Sequence, residues 1–293
     1  MRMQLELRGW EALAVTGADA RMFLHAQFAS DVFRLAPGRW QFGCWLNAQG
    51  RTIALFVLVA ESQDRFLLLL PCHRAENFAQ RLRRFVLRAQ VKIELLREDT
   101  VRGEYTIRER GGTQIAAAGE LARAGGSIRI ELGGSASRTL VLEAGKREPH
   151  PDADDSIWRR ADVDDGLPWL AAEVAETWTP QALALERIDA YGVNKGCYPG
   201  QEVVARTHFL GRNKRRLVRV AGTSATLPTC GARLLAISEP GSEAAGELVL
   251  VAPGPALGEF QALAVLRDSA PQALALGSGL PIQLKGVLQS PAN

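Results

Sequence analysis

Lys195-Gly196-Cys197-Tyr198-Pro199-Gly200-Gln201-Glu202 sets one thiol beside a lysine and between two glycines, with a polar pair directly behind. Glycines permit tight turns and let backbone N–H groups approach a ligand. A neighbouring ammonium favours the thiolate over the thiol. The segment therefore reads as a shaped loop that presents Cys197. Turn chemistry around a buried Cys gives the same spacing, because free Cys is among the most buried residue types and Gly and Pro punctuate turns. The octapeptide alone leaves both readings open.

The residues that follow narrow the choice. Val203-Val204-Ala205-Arg206 comes next, then Leu210-Gly211-Arg212-Asn213-Lys214-Arg215-Arg216-Leu217. The whole run resembles the K-G-C-Y-x-G-Q-E signature of the YgfZ family of folate-binding proteins, which belongs to the superfamily of the glycine-cleavage T-protein. A match with only one free position is far more specific than an isolated glycine motif.

The resemblance extends along most of the chain. Trp10-x-x-Leu13-x-Val15-x-Gly17-Ala18-Asp19 and Phe23-Leu24-x-x-Gln27-x-x-x-Asp31-Val32 look like the family's opening, and Leu46-Asn47-x-x-Gly50-Arg51 resembles the hairpin shared with T-proteins. Trp158 through Gly166-x-Pro168, then Thr179-Pro180-Gln181 and Leu185, resemble the approach to the signature.

The family implies an α+β fold of three domains in a ring. Residues 1–45 with 100–213 would form a discontinuous folate-binding domain, 46–99 an inserted ferredoxin-like domain, and 214–293 a C-terminal β-barrel. The ring's opening would hold tetrahydrofolate against Trp10 and Trp158. Cys197 is carried over as the signature thiol with Lys195 beside it, and Tyr198, Gln201, Glu202 and Arg206 as residues near the ligand. The family is implicated in assembling or repairing iron–sulfur enzymes, including those that modify tRNA.

One departure separates this chain from the aminomethyltransferase branch. There the hairpin carries an Asp-Asp pair, and one of those aspartates is central to catalysis on the folate-bound aminomethyl group. Here the matching residues are Ala54 and Leu55, which neither accept a proton nor hold an amine charge. The resemblance thus implies an accessory protein rather than an enzyme of the usual kind. A folate-dependent one-carbon transferase is the alternative, and a plain RNA-binding module a third reading.

Composition agrees with a soluble globular protein. The 293 residues suffice for two or three domains, and 47% hydrophobic with 23% charged content is ordinary. A net charge of +3 does not demand nucleic acid. Cys44, Cys72, Cys197 and Cys230 are far apart, without metal-ligand spacing, so no built-in metal is expected. Sparse Cys suits a reducing cytosol. The first residues lack a signal-peptide core, and the apolar run Thr52–Ala60 is too short to cross a bilayer. The expectation is a cytoplasmic monomer.

Local patterns give the elements. Asp19 reads as the N-cap of a helix carrying Phe23 and Leu24. Trp40–Leu46 and Arg51–Ala60 flank a hairpin turn, Arg65–Leu70 is a strand, His73–Leu87 a helix and Val91–Leu96 a strand, an order like half of a split βαβ unit. Glu104–Arg108, Gln114–Ala118, Ser127–Leu132 and Arg138–Glu143 read as strands and Glu120–Ala124 as a short helix. Gly145–Asp155 reads as a linker, and Thr179–Tyr191 as a helix with Pro180 at its first position. Short strands from Arg215 onward suggest a small barrel.

Other constellations are weaker. Asp152, Asp154, Asp155, Asp162, Asp164 and Asp165 read as a solvated acidic face, since Gly166 falls one position early for a calcium loop. Trp158, Trp169 and Trp178 suit stacking on a pterin or packing in a core. The basic strip Arg206, Arg212, Lys214, Arg215, Arg216, Arg219 suits phosphate, tRNA or a folate's glutamate tail, or simply a solvated rim. His208, eleven residues beyond Cys197, is the histidine nearest to it in sequence.

Overall fold

The computed structural model describes residues 2–107, 114–145, 154–211, 213–237 and 244–288. The first half contains β1 (Arg2–Glu6), β2 (Glu11–Thr16), α1 (Ala20–Gln27), β3 (Arg39–Leu46), β4 (Thr52–Ala60), β5 (Arg65–Leu70), α2 (Ala75–Arg83) and β6 (Lys92–Leu95). It continues through β7 (Thr100–Thr106), β8 (Ala118–Ala124), β9 (Ser127–Glu131) and β10 (Ser137–Glu143). Then come α3 (Ser156–Asp165) and α4 (Gln201–Phe209), followed by β11 (Arg215–Thr223), β12 (Arg233–Ala236), β13 (Gly246–Pro253), β14 (Glu259–Arg267), β15 (Leu274–Leu276) and β16 (Pro281–Leu288).

The first ten strands form one sheet in the order β1-β7-β10-β9-β8-β3-β4-β5-β2-β6, and the last six close into a barrel. The α+β class with a C-terminal barrel is therefore the fold. β5 and β6 both run antiparallel to β2, which lies between them, and α2 connects them; this is a split βαβ unit. The sheet pairs strands across the boundary expected at 45/46: β3 ends at Leu46 and pairs along its length with β4. The link between β3 and β4 is a tight turn. Asn47 accepts from the backbone N–H of Gln49 at 3.0 Å and of Arg51 at 2.9 Å, an Asx turn that fixes the hairpin.

Strand alternation explains how one sheet serves two cores. Leu55, Val57 and Val59 of β4 face one apolar cluster, while Ala54, Phe56, Leu58 and Ala60 face another. Phe23 and Leu24 of α1 and Phe78 and Leu82 of α2 cover the second cluster. The first is closed by α3, by residues 167–191, and by the outer face of the barrel through Leu217, Ala252, Leu263 and Val265. The barrel's interior is filled by Val218, Val220, Leu248, Phe260 and Leu266. Burying each such Leu, Val or Phe side chain stabilises the fold by about 1.5–3 kcal/mol.

Four local expectations are corrected. Glu120–Ala124 is part of β8, because Gly125 and Gly126 take φ of 56° and 81° and turn the chain back into β9. The expected helix His73–Leu87 begins only at Ala75, since Cys72 and His73 are left-handed (φ 66° and 50°). Thr179–Tyr191 holds only a 3₁₀ turn, Leu185–Ile188, bracketed by left-handed Ala184 and Asp189. Asp19 does occupy the N-cap of α1, but its carboxylate accepts from the Gln90 N–H at 2.7 Å rather than capping the helix.

The acidic face is also corrected. Asp155, Asp162 and Asp165 are buried. Arg138, itself 1% exposed, donates to Asp162 and to Asp165 at 2.5 Å each. Burial pushes the Asp162 carboxyl up to about 6, against the pull of Arg138. Asp152 and most of the expected linker Gly145–Asp155 lie outside the described residues.

Candidate functional site

The signature forms a loop anchored at both ends. At its start, the half-buried Lys195 donates its ammonium to the carbonyl of Phe28 at 2.6 Å and to that of His25. His25 returns the contact: its Nε2–H donates to the Lys195 carbonyl at 2.8 Å, while Nδ1 lies 3.5 Å from Asp31. Burial pulls the Lys195 ammonium down to about 8. The lysine expected to favour the Cys197 thiolate instead carries its charge inward, to the end of α1.

At its far end, Gly200 is the left-handed N-cap of α4, φ 79°. A Cβ there would stand 2.5 Å from the Asn47 carbonyl oxygen and 2.7 Å from the Gly50 Cα. The loop is thus pressed backbone to backbone onto the β3–β4 hairpin. Gln181 holds α4 from below, its amide donating to the Val204 carbonyl at 3.0 Å. Between the anchors Cys197 is exposed. Tyr198 is buried under the Lys195 ammonium, which sits 5.0 Å from its ring.

The other expected site residues scatter. Gln201 is half-buried, whereas Glu202 and Arg206 face solvent on α4 and pair loosely with each other at 3.8 Å. Trp10 and Trp158 are 8% and 1% exposed and belong to the first core cluster. Trp10 meets Trp169 edge to face at 5.1 Å, and Trp158 lies under the Arg138 guanidinium at 5.0 Å. Gly103 leaves the space for Trp158, since a Cβ there would lie 2.7 Å from its ring. The indole nitrogen of Trp158 has no hydrogen-bond partner among the described residues.

The basic strip is not one surface. Arg219 donates to the Asp164 carbonyl at 3.2 Å, Arg215 lies over the Trp178 ring at 5.6 Å, and Arg212 lies outside the described residues. Arg215 and Arg216 wall a cavity of about 520 Å³ together with Gln181, Glu186, His208 and Asn213. Glu186 accepts the Tyr191 hydroxyl there. The volume falls within the range of small-molecule sites, about 300–1,000 Å³. This cavity escaped sequence reading because Glu186 and Arg215 are brought together by the barrel docking against residues 181–186.

A third group also went unread. Glu176, left-handed at φ 63°, accepts from Asn47 at 2.9 Å and from Arg81 at 2.6 Å, and these bonds hold its carboxyl below the usual range. The backbone N–H of Thr52 donates to the Trp178 carbonyl and that of Glu176 to the Thr52 carbonyl, both at 2.8 Å. Asn47-x-x-Gly50 was the only part of this clamp visible as a motif.

Ala54 and Leu55 lie inside β4 at 4% and 2% exposure. Among the described residues no cluster of three or more His, Cys, Asp or Glu is placed to hold a metal ion, and no helix is long and apolar enough to cross a membrane.

No family model matches the chain. It is 29% identical over 218 residues to an uncharacterised protein of Haemophilus influenzae, covering 74% of this chain and 72% of that one. It is 26% identical over 232 residues to the tRNA-modifying protein YgfZ of Colwellia psychrerythraea, covering 73% and 69% of the two chains. The tRNA-modifying protein YgfZ of Aliivibrio fischeri matches at 26% over 239 residues, covering 77% and 73%. Among solved structures, the glycine cleavage system aminomethyltransferase T of Bartonella henselae superposes with a TM-score of 0.68 at 13% identity, over 99% of this chain and 85% of that one. Relatives of that name match along three quarters of the chain, and along nearly all of its length the chain has the fold of the T-protein.

Proposed function

We propose that this protein binds a reduced folate of the tetrahydrofolate type and presents Cys197 to iron–sulfur client enzymes, tRNA-modifying ones among them, as an accessory factor. The observation that carries the proposal is the double anchoring of an exposed thiol. Cys197 faces solvent while Lys195 and Gly200 on either side of it are fixed to α1 and to the hairpin. A thiol that served only packing would be inside; one held rigidly outside suits chemistry on a partner.

The fit of a folate has two sides. Trp10 and Trp158 are buried core residues among the described residues, 8% and 1% exposed. The cavity beside α4 offers what such a ligand needs. The Glu186 carboxylate suits the N–H donors of a pterin, the Gln181 and Asn213 side chains add amide groups, and Arg215 and Arg216 suit glutamate carboxylates. Trp178 lies beneath Arg215 as the nearest indole. Bound there, a reduced folate supplies a one-carbon carrier. The chain's own residues orient it and hold the thiol loop separately, since Ala54 and Leu55 offer no group for aminomethyl transfer.

Tryptophan-fluorescence titration with tetrahydrofolate tests the binding half. Saturable quenching is expected in the wild type and in Cys197→Ala, with weaker binding in Glu186→Gln and in Arg215→Ala. Equal binding by all four proteins would move the ligand elsewhere, and no binding by the wild type would remove the folate from the account. The tRNA link follows from the names of the relatives. On this reading the tRNA contact belongs to the client enzyme or to the exposed Arg206 and its neighbours, and salt-sensitive tRNA binding lost on Arg206→Glu would favour the second.

A further inference from the structure

A second cavity, of about 420 Å³, opens between the β3–β4 hairpin, the end of α2 and the signature loop. Leu46, Ala48, Ile53, Phe85 and Pro199 line it, over Trp45. Phe85 is 47% exposed, so the apolar wall continues to the surface. Three polar side chains reach the wall: Asn47, Arg81 and Arg84. Two are committed, because Asn47 and Arg81 both donate to Glu176 and Arg81 lies over the Trp45 ring at 5.6 Å. Arg81 and Glu176 also cancel in charge. The Arg84 side chain makes no hydrogen bond or ion pair within the described residues, and it is exposed. The cavity therefore has an apolar, partly aromatic body and one uncommitted guanidinium at its edge.

We propose that this cavity binds a flat aromatic ring carrying one anionic group, with the ring against Phe85, Ile53 and Pro199 and the anion on Arg84. A planar guanidinium matches a carboxylate, sulfonate or phosphate with two parallel N–H donors. The apolar wall rewards a ring and penalises a polar body, whose groups would lose water without gaining partners. The volume lies within the small-molecule range. The cavity shares no residue with the Glu186–Arg215 cavity, and the proposal does not rest on the folate reading. It has a consequence for the thiol: Pro199 stands two residues beyond Cys197, so a molecule seated here lies against the loop that carries it.

The test uses two fluorescent probes on the full chain. One is 8-anilinonaphthalene-1-sulfonate, an aromatic anion; the other is N-phenyl-1-naphthylamine, the same rings without the sulfonate. The anion is expected to bind at one saturable site, about tenfold tighter than the neutral probe. Arg84→Ala, at an exposed position, removes that preference and leaves the neutral probe's affinity unchanged. Ala48→Trp, also at an exposed position, fills the cavity and weakens both. Equal affinity of the two probes for the wild type, or an unchanged anion affinity in Arg84→Ala or in Ala48→Trp, overturns the proposal.

Discussion

Gly200 of the signature loop and Gly50 of the β3–β4 hairpin pack backbone against backbone: a Cβ on Gly200 would lie 2.7 Å from the Gly50 Cα. Two separate requirements fall on Gly200, a left-handed φ of 79° and a neighbour too close for any side chain. Gly38 isolates the first, because its φ is also 79° and a Cβ there meets nothing within 4 Å. Gly38→Ala should cost about 1–3 kcal/mol, the usual penalty for a non-glycine residue in this region. Gly200→Ala should cost clearly more, measured by urea unfolding of both variants. Equal costs would mean that the hairpin yields and that the loop is not pinned by it.

The Arg138 pair makes a second prediction. Removing the guanidinium leaves two buried carboxylates without their cation, so Arg138→Met should destabilise by about 3–5 kcal/mol. The pH dependence follows from Asp162, whose carboxyl burial raises to about 6 from the ordinary carboxylate value. A raised pKa means that the folded state takes up the proton more readily than the unfolded chain. The contribution is fully present below the unfolded pKa and is lost as pH rises through about 6. Wild type should therefore lose stability relative to Asp162→Asn between roughly pH 4 and 6 and run parallel to it above. A difference that does not change over that window would contradict the assignment.

Lys195 supplies a third. Its ammonium makes two hydrogen bonds to carbonyls at the end of α1, and bonds to a charged group contribute about 1.5–3 kcal/mol. In Lys195→Met the segment 192–200 should open at least about tenfold more often, read as faster hydrogen exchange there with the barrel unchanged. Unchanged exchange in that segment would show that Gly200 alone holds the loop.

Much of this architecture was legible because the signals were local. The nine-residue apolar run of β4 and the Asn47-x-x-Gly50 turn identify a central hairpin, and β4 is indeed buried on both faces. The signature marks the loop that carries Cys197. What the sequence hid depends on tertiary contacts. Asp162 and Asp165 of α3 look like surface charge until Arg138, more than twenty residues upstream on β10, is placed between them. Lys195 looks like an activator of its neighbour, yet its long side chain reaches back to α1 instead. Trp158 has the composition of a ligand platform and the burial of a core residue. Glu120–Ala124 has helical residues, but the Gly125-Gly126 turn imposes a hairpin.

The measurement that tests the central claim most directly is the level of iron–sulfur-dependent modified nucleosides in tRNA from cells whose only copy of this protein is wild type or Cys197→Ala, read by mass spectrometry. The account predicts that Cys197→Ala lowers those nucleosides to the level of cells without the protein while the purified variant still binds tetrahydrofolate. Wild-type levels with Cys197→Ala would contradict it, and would leave the anchored loop a structural feature with no thiol chemistry to explain.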